Sequence, residues 1–196
     1  MNFERWRHYA RGWLFHFFGR EDKAFTEYAE AFRRDPTNVQ AARHLAFIAA
    51  QQKRFDIAEE WFVETLKLTP DDADTHFNLG YVREQAGKSR DAVAAFAAAT
   101  RLKPILDRAW FGLGVAHAAL DEYAEAIPAF DEAVRLQPMN SIAWHHLGMA
   151  CHKAGNAERT RAVVETLVGF DPKAARQLVQ DSGRQDLAKL IPELPF

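Results

Sequence analysis

The sequence predicts an all-α protein made of five stacked helix–turn–helix repeats, and two observations support this prediction. Prolines recur at a constant interval of 34 residues, at Pro36, Pro70, Pro104, Pro138 and Pro172. Four of the intervening stretches divide into two helical periodicities around a turn residue, at Gly19, Gly87, Asp121 and Gly155. Because a helix-breaking residue on a fixed period marks a repeat array, we divide the chain into repeats 5–38, 39–72, 73–106, 107–140 and 141–174.

Small and aromatic residues recur at fixed positions within these repeats. Alanine precedes each of the first four prolines by twelve residues, at Ala24, Ala58, Ala92 and Ala126. An aromatic residue precedes the same prolines by eight, at Tyr28, Phe62, Phe96 and Phe130. A Leu-Gly pair recurs earlier in the repeat, at 79–80, 113–114 and 147–148. We expect the small residues to let paired helices approach closely and the rings to fill the space between them.

This pattern resembles the tetratricopeptide repeat family, most clearly in WFGLGVAHAALDEYAEAIPAFDEAVRLQP, residues 110–138. The resemblance covers residues 5–174 and implies an α-α superhelix (solenoid), a five-repeat array of bacterial type. It departs from the family pattern after the Leu-Gly position, where Ala49, Arg83, His117 and Cys151 replace the usual aromatic. Residues 175–196 are expected to form capping helices and a tail, because a terminal repeat needs a polar outer face.

The candidate functional residues lie on the first helix of each repeat, which lines the concave face in this family. Trp6, Tyr9, Trp13 and Phe17 are spaced 3, 4 and 4 residues apart and form one helical stripe. The corresponding columns of later repeats contain Arg43, Phe47, Phe77, Asn78, Tyr81, Arg108, Phe111, His145 and Met149. An aromatic groove with polar anchors suits an amphipathic helix or an extended peptide. The resemblance implies a non-enzymatic adaptor, scaffold or assembly factor with a protein partner. For any single ring, packing between neighbouring first helices is an equally good explanation.

Residues 3–18 permit two alternative functions. Residues 1–20 carry four arginines against the single acid Glu4, and their aromatic residues share one side of the helix. A helix of this kind can lie on a membrane surface, so a peripheral membrane scaffold is one alternative. Homodimer formation through the same exposed rings is another. The register of this segment with the repeats favours the groove.

Several other classes are disfavoured. A net charge of −2 and a pI of about 6.4 argue against a nucleic-acid binder. His16 ends the longest apolar run of the opening segment, so we predict neither a signal peptide nor a spanning helix and expect a cytoplasmic protein, or one peripheral to the inner membrane. Tyr9 and Trp13 stand where the family's chaperone-tail clamp would need lysine and asparagine.

No catalytic, metal or cofactor site is predicted. The segment AGKSRD, residues 86–91, lacks the upstream glycine of a phosphate-binding loop. His145, Met149 and His152 share a helix face, but no neighbouring carboxylate completes a metal site. The single cysteine, Cys151, lies in a packing column and is expected to be a buried, inert thiol.

Overall fold

The computed structural model describes residues 3–192, with side chains from Trp6 onward. Within this range the secondary structure is entirely helical, and the predicted all-α class is confirmed. The α-helices are α1 (Phe3–Phe17), α2 (Glu21–Arg34), α3 (Val39–Gln51), α4 (Phe55–Leu68), α5 (Ala73–Gln85), α6 (Ser89–Leu102), α7 (Asp107–Ala118), α8 (Tyr123–Leu136), α9 (Ser141–Lys153), α10 (Ala157–Phe170) and α11 (Pro172–Asp181). A 3₁₀ helix follows at Gln185–Leu190. Residues 193–196 of the expected tail lie outside the described residues.

The helices belong to two compact units, divided between Leu102 and Lys103. The N-terminal unit contains the hairpins α1–α2, α3–α4 and α5–α6; α2 packs on α3, and α4 packs on α5. The C-terminal unit contains α7–α8 and α9–α10, followed by α11, which packs on both α9 and α10. Within residues 3–192, no helix combines the length and the apolar character that a membrane span requires.

Every hairpin turn has the same backbone geometry. Residues 19, 53, 87, 121 and 155 are 34 apart and all have positive φ, between 57° and 75°. In the first turn, Gly19 N–H donates to His16 C=O at 2.9 Å and Arg20 N–H donates to Phe15 C=O at 2.8 Å. This is the Schellman pattern, which satisfies carbonyl groups at a helix C-terminus. The second turn uses Lys53 in this conformation, a position that the sequence pattern did not single out.

The glycine and aromatic columns meet inside the first, third and fourth hairpins. Tyr28, Phe62 and Phe130 are completely or almost completely buried. A Cβ atom added to Gly114 would lie 2.6 Å from the Phe130 ring, so the close approach of α7 and α8 requires glycine there. In the fifth repeat, where the aromatic is replaced by valine, Gly148 instead faces Leu178 of α11. The α11 helix therefore fills the space that a ring occupies in the other repeats.

Candidate partner-binding surface

Several large apolar side chains of α1 are exposed. Trp6, Trp13 and Phe17 are exposed by 62%, 53% and 68%. The rings of Trp13 and Phe17 stack with their centroids 5.7 Å apart. Phe18 and Leu14 extend this exposed group, which we call the α1 patch: Trp6, Trp13, Leu14, Phe17 and Phe18. Removing such rings from water is favourable, so a partner that covered them would gain binding free energy. A group of exposed apolar side chains is therefore suited to a binding surface.

Tyr9 belongs to the predicted stripe but packs toward the interior. Its hydroxyl lies 3.3 Å from His44 Nε2, and its ring centroid is 5.5 Å from that of Tyr28. His44 stacks on Tyr28 at 4.5 Å with an interplanar angle of 8°. Burial lowers the pKa of His44, and the neighbouring His16 lowers it further. Tyr9 therefore helps to join α1 and α2 to α3.

A row of half-exposed rings crosses the N-terminal unit. Trp13, Phe47 and Tyr81 are 34 residues apart and occupy the same position on α1, α3 and α5. Phe47 is 45% exposed and Tyr81 is 49% exposed. We call these three residues the aromatic row. The corresponding residues of the C-terminal unit are aliphatic, Val115 and Met149.

An open pocket of about 350 Å³ lies beside Phe47 and Tyr81. The predicted groove residue Asn78 lines it together with these two rings. The complete lining consists of Phe47, Ala50, Gln51, Lys53, Phe55, Phe62, Asn78, Tyr81, Val82 and Gln85. The sequence indicated Phe47, Asn78 and Tyr81 but not the amides and the lysine around them.

Two other predicted residues of this unit are engaged inside the fold. Arg43 forms an ion pair with Asp72, whose carboxylate also accepts a hydrogen bond from Thr75 Oγ1 at 2.5 Å. Phe77 packs on Phe96, with ring centroids 5.9 Å apart. These side chains therefore join neighbouring elements, and neither is as exposed as the aromatic row.

In the C-terminal unit, most of the predicted residues also have partners. The ring centroid of Phe111 lies 5.8 Å from that of Phe130 and 5.2 Å from that of His146. The rings of Phe111 and His146 are nearly perpendicular, with an interplanar angle of 89°. His145 Nε2 lies 2.8 Å from Asp181 Oδ2. Met149 packs against the core of this unit, and Arg108 is exposed to solvent but also has an interaction partner. Across residues 3–192, no three His, Cys, Asp or Glu side chains are grouped as metal ligands.

Cys151 is fully buried, as the sequence predicted. Burial raises the pKa of its thiol and outweighs the lowering effect of Arg159, and Asp131 raises the pKa further. A protonated, inaccessible thiol is a poor nucleophile.

A family model described as "Tetratricopeptide repeat" matches residues 9–73, 77–138 and 117–175. The chain belongs to the tetratricopeptide repeat family. The predicted resemblance is thus confirmed. Tetratricopeptide repeats typically form scaffolds for protein–protein interaction and are generally non-enzymatic.

Solved structures of other proteins share this fold. MamA is similar over 100% of both chains, with a TM-score of 0.79 and 19% sequence identity. A second MamA structure, of AMB-1, covers 98% of this chain and 100% of its own, with a TM-score of 0.75 and 23% identity. YrrB, described as a TPR protein with an unusual peptide-binding site, is similar over 90% of each chain, with a TM-score of 0.79 and 17% identity. No curated protein sequence matches the chain.

The tetratricopeptide tryptophan column has a role that sequence reasoning missed. Trp110 Nε1 donates to the carbonyl of Pro104 at 2.8 Å, and Trp144 Nε1 donates to that of Pro138 at the same distance. In the third repeat, His76 Nε2 lies 2.8 Å from Pro70 O. In each pair the donor follows the acceptor by six residues in the sequence, and this constant spacing is the signal that could have predicted the contact.

Proposed function

We propose that the chain is a non-enzymatic adaptor that binds a peptide or helix of another protein on the aromatic face of its N-terminal unit. The single observation that carries the proposal is the aromatic row, Trp13, Phe47 and Tyr81, in which three rings at one repeat position are each about half exposed. Folding alone would favour burying such rings or replacing them with polar residues. Exposed, rigid aromatic side chains are typical anchors of protein interfaces.

The spacing of the row supports a segment as the partner. The three rings lie on successive hairpins of one unit, and the pocket beside Phe47 and Tyr81 offers a recess for a side chain. A partner segment that follows the row would meet one anchor at each hairpin. Binding would bury apolar area on both sides and release the water that covers the rings.

The test is a pull-down from extracts of the native host with the wild-type protein and with Phe47→Asp/Tyr81→Asp. We expect the charge-bearing variant to lose at least one partner that the wild type captures, while its helical circular dichroism is retained because both rings are half exposed. Met139→Asp is the matched control, because Met139 is 71% exposed and lies in the C-terminal unit. Identical sets of captured proteins from wild type and the double variant would contradict the proposal.

The α1 patch supports a second candidate function, docking on a membrane surface. Its four aromatic residues are each more than half exposed, and Arg7 and Arg11 are exposed on the same helix. Rings that insert between headgroups and arginines that contact anionic lipids would hold such a helix at the interface. The expected cytoplasmic location would then be peripheral to the inner membrane.

Flotation with anionic vesicles tests this second function. Wild-type protein should float with the vesicles, and Trp6→Ser/Trp13→Ser should remain at the bottom of the gradient. A wild-type protein that never floats excludes lipid docking.

Sedimentation of the same two proteins tests the homodimer alternative. Loss of dimers in the double variant would show that the α1 patch binds a second copy of the chain.

A further inference from the structure

The pocket beside Phe47 and Tyr81 has an apolar interior and a polar rim. Phe47, Phe62, Tyr81 and Val82 provide apolar surface, and Phe62 is 1% exposed and part of the core. Besides the Tyr81 hydroxyl, the polar groups of the lining are three side-chain amides and one ammonium group, from Gln51, Asn78, Gln85 and Lys53. Among the side chains of residues 6–192, none of those that line the pocket is acidic. The formal charge of the described lining is therefore positive, from Lys53.

Lys53 occupies a backbone position where lysine is unfavourable. Its φ is 57°, and the four equivalent turn residues are three glycines and Asp121. Glycine adopts this conformation without steric cost, whereas a lysine does not. Non-glycine residues in sparsely populated backbone regions are concentrated at functional sites. The turn has no need of a lysine, so the side chain itself is the feature to explain.

The Lys53 ammonium group has no partner of its own. Among residues 3–192, its side chain makes no hydrogen bond or ion pair. The acids at the start of α4 are already engaged, since Lys88 Nζ lies 2.9 Å from Asp56 and 2.8 Å from Glu59. Arg83 also contacts Glu59, at 2.7 Å. Lys53 is thus a positive charge available to a bound molecule.

The amides at the rim favour one conformation of the occupant. Gln51 and Asn78 have no hydrogen-bond partner within the described residues, and each carries both donors and an acceptor. An extended peptide presents unsatisfied main-chain N–H and C=O groups that such amides can pair with. A helical peptide has already satisfied these groups internally and would leave the amides unpaired.

We propose that this pocket binds an extended peptide that carries one bulky apolar side chain and an acidic side chain close to it. The apolar side chain enters between Phe47 and Tyr81, the acidic one pairs with Lys53, and the amides of Gln51 and Asn78 bond to the main chain. The inference rests on the proposed function and specifies the chemistry of the partner segment.

The test uses a library of random peptides displayed on phage, selected against the full immobilised chain. The variants are Lys53→Asn, which keeps a residue that tolerates positive φ, Lys53→Glu, and Phe47→Ala/Tyr81→Ala. Lys153→Glu is the control, because it makes the same charge change on an exposed lysine of the C-terminal unit. Fluorescence polarisation of the most enriched peptide, made synthetically, then gives the affinity for each variant.

We expect the wild type to select peptides with an acidic residue beside a bulky apolar one. Removing the charge in Lys53→Asn should weaken binding of the synthetic peptide about two- to fivefold, as for a solvent-exposed ion pair. Lys53→Glu should weaken it roughly tenfold by repulsion, and Lys153→Glu should leave it unchanged.

Three results would overturn the inference, and they differ in what they say about the proposed function. Peptides that need Phe47 and Tyr81 but show no acidic residue, or bind Lys53→Glu equally well, would leave the proposed function in place and remove only the acidic requirement. Selected peptides with anchors at helical spacing would replace the extended segment with a helix. A wild-type protein that enriches no peptide above the unselected library would count against both proposals.

Discussion

Lys53 and Asp121 are the non-glycine residues among the five equivalent turn positions. Both have φ close to 58°, and they differ in how well they tolerate it. Aspartate is among the residues enriched in the left-handed region, and Asp121 Oδ1 also accepts a hydrogen bond from the Tyr123 hydroxyl at 2.7 Å. Lysine has no such local compensation. The two positions therefore respond differently to glycine.

We predict that Lys53→Gly stabilises the protein by about 0.5–1 kcal/mol, because it removes the steric cost of a Cβ atom in this conformation. Urea denaturation followed by circular dichroism measures the change. Asp121→Gly should give no such gain, since it also removes the hydrogen bond to Tyr123. Destabilisation by Lys53→Gly would show that the lysine side chain supports the fold rather than a ligand.

We predict opposite effects of alanine at two glycines. Gly114→Ala should cost about 1–3 kcal/mol, because the new methyl group would lie 2.6 Å from the Phe130 ring and force it to move. Ala46 occupies the equivalent position in the second repeat, so the fold accommodates a methyl group once the facing ring has adjusted. Gly169→Ala is the control, since nothing lies within 4 Å of its added Cβ atom, and it should stabilise α10 by up to about 1 kcal/mol. Equal changes at both sites in thermal denaturation would refute the packing argument.

At the residue scale, the sequence predicted the repeat positions of the side chains better than their individual contacts. It placed Tyr9 in the groove stripe, whereas the ring contacts Tyr28 and His44. It proposed Arg43 as a polar anchor, and the structure pairs it with Asp72. The Tyr9–His44 and Arg43–Asp72 contacts join residues that are 35 and 29 positions apart in the sequence, and a local pattern does not specify such pairings. The conformation of Lys53 could have been found, because it stands 34 residues after Gly19.

The indole donors of Trp110 and Trp144 connect a helix to the turn before it. We predict that Trp110→Phe costs about 0.5–1.5 kcal/mol, the usual contribution of one hydrogen bond, because the carbonyl of Pro104 loses its donor. Chemical denaturation provides the measurement. Trp61→Phe is the control, because Trp61 makes an aromatic contact with Phe32 but no indole hydrogen bond within the described residues. An equal cost in the two variants would assign the effect to lost ring area.

At the element scale, the proline period predicted the helix pairs well. Helices α4 and α8 end at Leu68 and Leu136, two residues before the prolines that were expected to stop them. The fifth repeat was harder to predict because valine replaces its aromatic residue. There the missing volume is supplied by Leu178, which comes from a helix outside the repeat pattern.

The two units share a histidine position that makes stability depend on pH. His44 stacks on Tyr28, and the ring centroid of His146 lies 5.6 Å from that of Phe130. In both units the histidine occupies the same repeat position and contacts the aromatic residue of the preceding repeat. Burial lowers the pKa of both histidines below the ordinary value of 6.5, and His16 and His145 add to the respective shifts. The unfolded chain therefore binds more protons than the folded chain in this range. Stability is fully present above about pH 6.5 and falls as the pH drops through the folded-state pKa values.

We predict that the melting temperature of the wild type falls between about pH 7 and about pH 5, and that His44→Asn/His146→Asn reduces this dependence. Asparagine is the residue at the equivalent position of the third repeat, Asn78, so the replacement is compatible with the fold. Calorimetry over this pH range checks the prediction, and an unaltered slope in the double variant would disprove it.

For the whole molecule, the sequence predicted the fold more completely than the site. Repetition makes the fold easy to predict, because each column averages five local environments and the proline period fixes their register. The proposed binding surface depends instead on departures from the repeat, such as Lys53 at a turn position that glycine occupies in three other repeats. The sequence shows that the aromatic row occupies one repeat position. It does not predict the pocket, because the lining combines residues of α3, α4 and α5.

Cys151 is the single cysteine of the chain and is completely shielded from solvent. A thiol reagent can reach it only when the packing around α9 opens. The rate of labelling therefore measures local opening of the C-terminal unit. The same shielding leaves the native surface without a reactive thiol. A fluorescent thiol reagent would then label only a cysteine introduced on the aromatic row. The fluorescence of that probe would follow ligand binding in real time.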